Sequence, residues 1–149
     1  MSVSTPTVTL EPVGSDTVAY VETLLERADL PARDVRSHPE WFYVGRDGGN
    51  RIGVGGIEAY GAVGLLRSVV VERDVRGTGY GNALCEALEA RARRDGVETL
   101  YLLTMTAPAF FAGRGYVRID RAGAPVAIRE TDEFSDLCPA TATCLRKEL

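Results

Sequence analysis

Arg76-Gly77-Thr78-Gly79-Tyr80-Gly81 is the stretch on which the fold reading turns. It follows the apolar run Leu65 to Val71 and opens a helical pattern from Gly79 to about Asp95. In that pattern Leu84, Ala87, Leu88 and Arg91 share one stripe, and Gly96 supplies the stop. Glycines in this spacing allow close backbone approach and left-handed dihedrals, while the helix start adds unpaired N–H groups and the positive end of a dipole. A pyrophosphate suits such a passage, and Arg76 adds charge at its mouth. A Walker loop requires Gly-Lys-Ser or Gly-Lys-Thr, and the only lysine of the chain is Lys147. A dinucleotide fingerprint requires Gly-x-Gly-x-x-Gly at the strand end, whereas Glu72 to Val75 intervene here and the spacing is Gly77-x-Gly79-x-Gly81. A plain glycine turn capping a helix is the bland alternative.

Outward from the loop, the chain reads as alternating strands and helices. Thr7 to Leu10 is a short strand, and Ser15 or Asp16 caps a helix whose Val18, Val21, Leu24, Leu25 and Ala28 lie on one face, ended by Pro31. A shorter helical piece is expected over Ala32 to Ser37. Trp41 to Val44 and Arg51 to Tyr60 form an antiparallel pair around the turn residues Arg46 to Asn50. Gly61 to Gly64 reads as a second turn, and Leu65 to Val71 as a strand in the middle of the sheet. Beyond the loop helix, Leu100 to Thr104 is a buried strand and Ala107 to Arg114 a short helix stopped by Gly115. Tyr116 to Ile119 is a strand, Pro125 to Thr131 starts a helix, and Thr141 to Leu145 is a last strand. The expected fold class is α/β, a mixed sheet flanked by helices, in a single domain of residues 1–149.

Composition narrows the function classes. A net charge of -4 and a pI near 5.1 argue against nucleic acid as the main partner. No apolar run reaches membrane-spanning length, and the start lacks a signal pattern, so a cytoplasmic protein with no membrane partner is expected. Cys85, Cys138 and Cys144 imply no disulfide framework, and a lone histidine, His38, without clustered thiols or carboxylates implies no metal.

The loop's Arg-x-x-Gly-x-Gly, at Arg76, Gly79 and Gly81, resembles the CoA-binding motif of GNAT acetyltransferases. The likeness extends to the preceding strand, Leu66-Arg67-Ser68-Val69-Val70-Val71, and to Ala107-Pro108-Ala109-Phe110-Phe111-Ala112-Gly113-Arg114-Gly115-Tyr116, which is similar to the helix flanking the cofactor in that superfamily. It covers about Gly53 to Tyr116 in order. The resemblance implies the GNAT fold with its central, mostly antiparallel sheet, and acetyl-CoA as cosubstrate. Val69, Val70 and Val71 would run beside the acetyl and pantetheine groups, and Arg76, Gly77, Thr78, Gly79, Tyr80 and Gly81 would hold the pyrophosphate. Phe110 and Phe111 would wall the cofactor or simply pack. A narrower likeness, in Glu58-Ala59-Tyr60-Gly61, Leu65 to Val71 and the tail Ala127 to Pro139, is to the N-acetyltransferases of arsenic-resistance operons, themselves similar to amino-acid acetyltransferases. It implies a small-molecule amine acceptor of amino-acid type; a homodimer is an expectation of the family likeness alone.

Acetyl transfer to an amine needs a neutral nucleophile, a polarised thioester carbonyl and an exit for the thiolate. Glu58 is the candidate base, and a four-residue turn would place it opposite Arg67, where an ion pair is the competing or coexisting role. The tyrosine that often follows the phenylalanine of the Ala-x-x-Phe-Tyr pattern is Phe111 here, which leaves Tyr116, Tyr101 or water as the acid, or a thiolate that leaves unaided. Arg67 and Arg129 are candidates to clamp an acceptor carboxylate, against a solvated-charge alternative. Cys138 and Cys144 read either as contacts for a trivalent arsenical or as inert core thiols. Other classes left open are a protein N-terminal or polyamine acetyltransferase and a CoA-binding sensor without catalysis.

Overall fold

The computed structural model describes residues 6–137 and 141–149, with the side chains of 136 and 137 set aside. Cys138 therefore lies outside the described residues. Seven strands are hydrogen-bonded in the order β1-β2-β3-β4-β5-β7-β6: β1 Thr9–Pro12, β2 Phe42–Asp47, β3 Asn50–Tyr60, β4 Val63–Val71, β5 Thr99–Thr104, β6 Val117–Ile119 and β7 Thr143–Glu148. Among the described residues four α-helices accompany them: α1 Val18–Arg27, α2 Tyr80–Arg94, α3 Pro108–Gly113 and α4 Val126–Arg129. The chain divides into two compact units, Met1–Ile57 with Ser68–Ala90 and Glu58–Arg67 with Arg91–Leu149, so that β3, β4 and α2 each contribute to both.

In the first unit β2 pairs antiparallel with β1 and with β3. The β2–β3 link is only Gly48 and Gly49, and Gly48 takes a positive φ of 60, the conformation that makes so short a reversal possible. Against this ribbon packs α1, whose Val21, Leu24 and Leu25 are buried with Val35, Phe42, Val44, Val54 and Val70. The glycines of β3 have a packing reason. A Cβ on Gly53 would stand 2.3 Å from the Val70 carbonyl oxygen, and one on Gly55 would stand 2.4 Å from Leu88 of α2. Side chains at these positions would push β4 and the helix away.

The second unit pairs β4 with β5 in parallel over Val63 to Leu65. Strand β7 then lies antiparallel between β5 and β6. Its core gathers Leu65, Tyr101, Ala124, Ile128, Phe134 and Cys144. Gly96 and Gly115, both at φ 96, end α2 and α3 as the sequence pattern predicts.

Several expectations are corrected. The helical piece over Ala32 to Ser37 is a run of turns, followed by a 3-10 turn at Pro39–Trp41, where two prolines, Pro31 and Pro39, bracket too few residues for a stable helix. Strand β1 begins at Thr9 and runs to Pro12, and β7 spans Thr143–Glu148. The turn after β3 is Gly61 and Ala62, with Gly61 at φ 69, not the four residues to Gly64. Residues Glu133–Leu137, unassigned from sequence, form a π-helical turn.

Replacing Gly53 by alanine is expected to lower stability by about 1–3 kcal/mol, because the backbone carbonyl it meets cannot rotate aside. Gly49→Ala, with nothing within 4 Å of the added methyl, is the matched control and is expected to stay within about 0.5 kcal/mol. Equal denaturant midpoints for the two variants would refute this account of the glycine-rich strand.

Candidate active site

The glycine loop belongs to the first unit. A 3-10 turn, Arg73–Val75, leads into a turn at 76–79, after which α2 starts at Tyr80. Gly77 and Gly79 stand at φ 82 and 90, where a side chain is strained, so the glycines are a backbone requirement of the turn. The loop holds its own shape: Arg76 Nε donates to the Val71 carbonyl at 3.1 Å, the Thr78 hydroxyl donates to the Val75 carbonyl, and the Tyr80 hydroxyl donates to Asp47. Residues 76–79 are exposed, Tyr80 and Gly81 half-buried. The first N–H groups of α2 lack acceptors within the helix, as at every helix start.

A cleft of about 430 Å³ lies beside this loop, lined by Leu24, Arg27, Ala28, Val70, Glu72, Arg73, Asp74 and Arg76. Two residues read from sequence as cofactor contacts, Val70 and Arg76, are thus brought to one cavity. Val69 and Val71 are half-buried on either side of Val70. Arg27 and Arg73 were missed, because Arg27 ends α1 and nothing local ties it to the loop. The volume falls within the range of small-ligand sites, and the lining carries three arginines beside Glu72 and Asp74.

Glu58, Arg67 and Tyr60 belong to the second unit. The Arg67 guanidinium is 0% exposed and the Glu58 carboxylate 1%. Arg67 Nη1 donates to Glu58 Oε2 at 2.8 Å, and Arg67 Nε lies 3.7 Å from Glu133 Oε1. The ion-pair reading of Glu58 and Arg67 is therefore the one observed, although not by direct opposition. In a hairpin closed by two residues they are diagonal neighbours on one face, a reach that long side chains cover. The other Glu58 oxygen accepts the Tyr60 hydroxyl. Burial, then the hydrogen bond from this hydroxyl to Glu58 and the Glu58 charge, raise the Tyr60 pKa above the ordinary phenol range. Tyr60 had a sequence signal that went unused, since residues two apart in a strand share a face. Glu133 had none.

The remaining sequence candidates sit as follows. Tyr116 is 3% exposed, edge-on to Phe111 at 5.6 Å, with Lys147 Nζ 5.5 Å from its ring centre. Phe110 is 36% exposed and Phe111 8%, the two rings perpendicular at 5.1 Å. Arg129 is exposed on α4, and its Nε donates to the Ala124 carbonyl at 2.9 Å. Cys144 is a core thiol pushed up to about 11 by burial, a poor thiolate at neutral pH. Among the described residues no three His, Cys, Asp or Glu side chains are grouped as a metal site needs, and no helix is long and apolar enough to cross a membrane.

Comparison with known proteins follows this geometry. The acetyltransferase (GNAT) family matches residues 11–116, a span that runs through both units. N-alpha-acetyltransferase 80 of Mus musculus is 46% identical over 52 residues, 35% of this chain and 17% of that protein. The amino-acid acetyltransferase of Ralstonia nicotianae is 40% identical over 55 residues, 37% of this chain and 12% of that protein. The chain thus matches less than a fifth of the length of either curated relative. N-acetylglutamate synthase from Neisseria gonorrhoeae, solved with coenzyme A and N-acetyl-glutamate, shares the fold with a TM-score of 0.80 at 20% identity, over 95% of this chain and 35% of its own. Rv2747 from Mycobacterium tuberculosis, solved in complex with CoA, does so at 0.78 and 18%, over 95% of this chain and 99% of its own. With a loop, sheet and family match in agreement over most of its length, the chain belongs to the acetyltransferase (GNAT) family.

Proposed function

We propose that this protein is an acetyl-CoA-dependent N-acetyltransferase that acylates the amine of a small, amino-acid-like acceptor directly, with no acyl-enzyme. The observation that carries the reading is the exposed positive-φ loop at the start of α2 beside the cleft of Arg27, Arg73 and Arg76. Acetyl-CoA, when bound, supplies an activated thioester. The Arg76 to Gly81 backbone and the three arginines hold its phosphates, where a helix start and guanidinium groups both favour negative charge. The backbone of Val69 to Val71 is proposed to line the acyl arm.

Glu58 is the proposed base. Glu58 and Glu133 both face the Arg67 guanidinium, and Glu58 makes the closer contact. Arg67 holds that carboxylate in place. Arg129, on the surface, is the remaining arginine proposed to meet an acceptor carboxylate. A thiolate is a far better leaving group than an amide anion, so the chemistry does not demand an acid, and Tyr116 is the hydroxyl proposed to meet it.

An amino-acid acceptor draws support from the matched amino-acid acetyltransferase and from the N-acetylglutamate synthase fold. Within that class we propose glutamate-like compounds, including arsenical or phosphinic analogues. The test is acetyl-CoA consumption with mass spectrometry of the product over glutamate, aspartate, phosphinothricin, arsenical analogues, polyamines and N-terminal peptides. Acetylation of the acidic amino acids and their analogues is expected. Products confined to peptide N-termini, the reading suggested by the N-alpha-acetyltransferase match, would overturn the acceptor class, and saturable CoA binding without any product would overturn the activity.

Two substitutions probe the parts separately. Gly79→Leu places a side chain at φ 90 in the loop and is expected to weaken acetyl-CoA binding at least about tenfold, or about 1.4 kcal/mol, by titration calorimetry. Unchanged affinity would remove the loop from the site. Arg67→Met leaves Glu58 and Glu133 buried with no cation between them and is expected to cost about 3–5 kcal/mol of stability in chemical denaturation, while Arg129→Ala costs under about 0.5 kcal/mol and acts on acceptor KM alone. An Arg67→Met protein of full stability would show that Arg67 is not the structural partner of the pair.

A further inference from the structure

The proposed base is out of reach of the acceptor. Glu58 is 1% exposed, one of its oxygens is held by Arg67 Nη1 at 2.8 Å, and the other is covered by the Tyr60 hydroxyl. Tyr60, the last residue of β3, is 38% exposed beside the left-handed Gly61. One atom of Tyr60 thus touches the buried carboxylate while the ring reaches solvent.

We propose that Tyr60 is a catalytic proton relay, its hydroxyl taking the proton of the acceptor's ammonium group and passing its own to Glu58. This rests on the acetyltransfer reading above and names the residue through which its base acts. The ammonium N–H donates to Tyr60 Oη. As that N–H bond breaks, the electron pair stays on nitrogen, a new O–H bond forms on Tyr60, and the original Tyr60 proton moves to Glu58 Oε1. Tyr60 ends as it began, the amine is neutral, and Glu58 carries one more proton. The second proton, released when the amide forms, leaves with the CoA thiolate, and Glu58 returns its proton by the same path after product release.

Three features of the surroundings suit this role. The charged groups facing the Tyr60 hydroxyl are Glu58 on its own strand, Arg67 on β4 and Asp132 before the π-helical turn. The two carboxylates and burial outweigh Arg67, so the phenol keeps its proton at neutral pH and has one to pass. Arg67 also faces Glu133, with Nε 3.7 Å from Oε1, so the guanidinium keeps a carboxylate beside it once Glu58 is protonated. The Tyr60 hydroxyl also meets Glu58 directly, so the proton needs no intervening water to pass from one to the other.

The experiment compares wild type with Tyr60→Phe, on L-glutamate or on whichever acceptor of the panel above the wild-type protein turns over, from pH 6.5 to 9.5. Removing the relay is expected to lower kcat/KM about 100-fold or more at pH 7, within the range for general acid–base catalysis. The deficit shrinks by roughly tenfold per pH unit as the free amine in solution grows, while acetyl-CoA affinity stays at its wild-type value and the variant stays folded, with a loss of stability from the uncovered carboxylate oxygen. Glu58→Gln is expected to show the same pH-rescued deficit, and the double variant no greater one, because the two residues act as one path. A deficit independent of pH, or none, overturns the relay and leaves the acetyltransferase reading standing. Absence of wild-type turnover on every acceptor overturns that reading and the relay together.

Discussion

A guanidinium group with no exposure to water cannot be left alone, and the second unit is arranged around that constraint. Taking an arginine and two carboxylates out of solvent costs several kcal/mol per ion before any attraction is counted. Arg67 recovers this through Nη1 on Glu58 and Nε facing Glu133, which joins β3, β4 and the π-helical turn at one point. The turn's π form is local evidence of the same demand, since an extra residue per turn is a costly geometry usually found where a side chain must be aimed. Glu133 is the first residue of that turn. A hydrophobic side chain in place of Arg67 would take the guanidinium away from two buried carboxylates.

The first unit is governed by a different constraint, the close approach of backbone. Val70 brings its carbonyl against Gly53, and Ser68, two residues earlier, is held at φ 57, a left-handed conformation costing about 1–3 kcal/mol for a residue with a side chain. Asp29, after α1, is the other such residue, but aspartate tolerates the conformation and there it merely ends a helix. At Ser68 the strain falls inside a strand, next to Arg67 and at the point where the chain passes from one unit to the other.

What could be read from the sequence was whatever is encoded locally. The loop at Arg76 to Gly81, the glycine-stopped helices α2 and α3 and the β2–β3 hairpin depend on residues within a few positions of one another, and these were legible. The insertion of β7 between β5 and β6 was not, because it depends on pairings such as Leu102 with Leu145 that no local pattern announces. Arg67 shows the same limit within one residue. Its contact with Glu58 followed from a hairpin, whereas Glu133 arrives from a distant turn, and only the pair of them explains why this arginine is buried rather than offered to a substrate. The residues 32–37 failed in the opposite way: their composition allows a helix, but the prolines on either side leave no room to propagate one.

The charge of the whole chain misleads about its sites. A pI near 5.1 excludes a broad basic surface, yet Arg27, Arg73 and Arg76 share one cleft. At physiological ionic strength charges act over about 8 Å, so a bound phosphate answers to the groups lining the cleft and hardly at all to the acidic remainder. Glu72 and Asp74 in the same lining temper that field. The second unit holds the reverse arrangement, with Glu58 and Glu133 facing Arg67 and the Tyr60 hydroxyl on Glu58. Acyl transfer from CoA to an amine makes two electrostatic demands, a site that holds phosphate charge and a group that takes a proton, and the proposed function assigns the first to the cleft arginines and the second to Glu58, whatever the sum over the sequence.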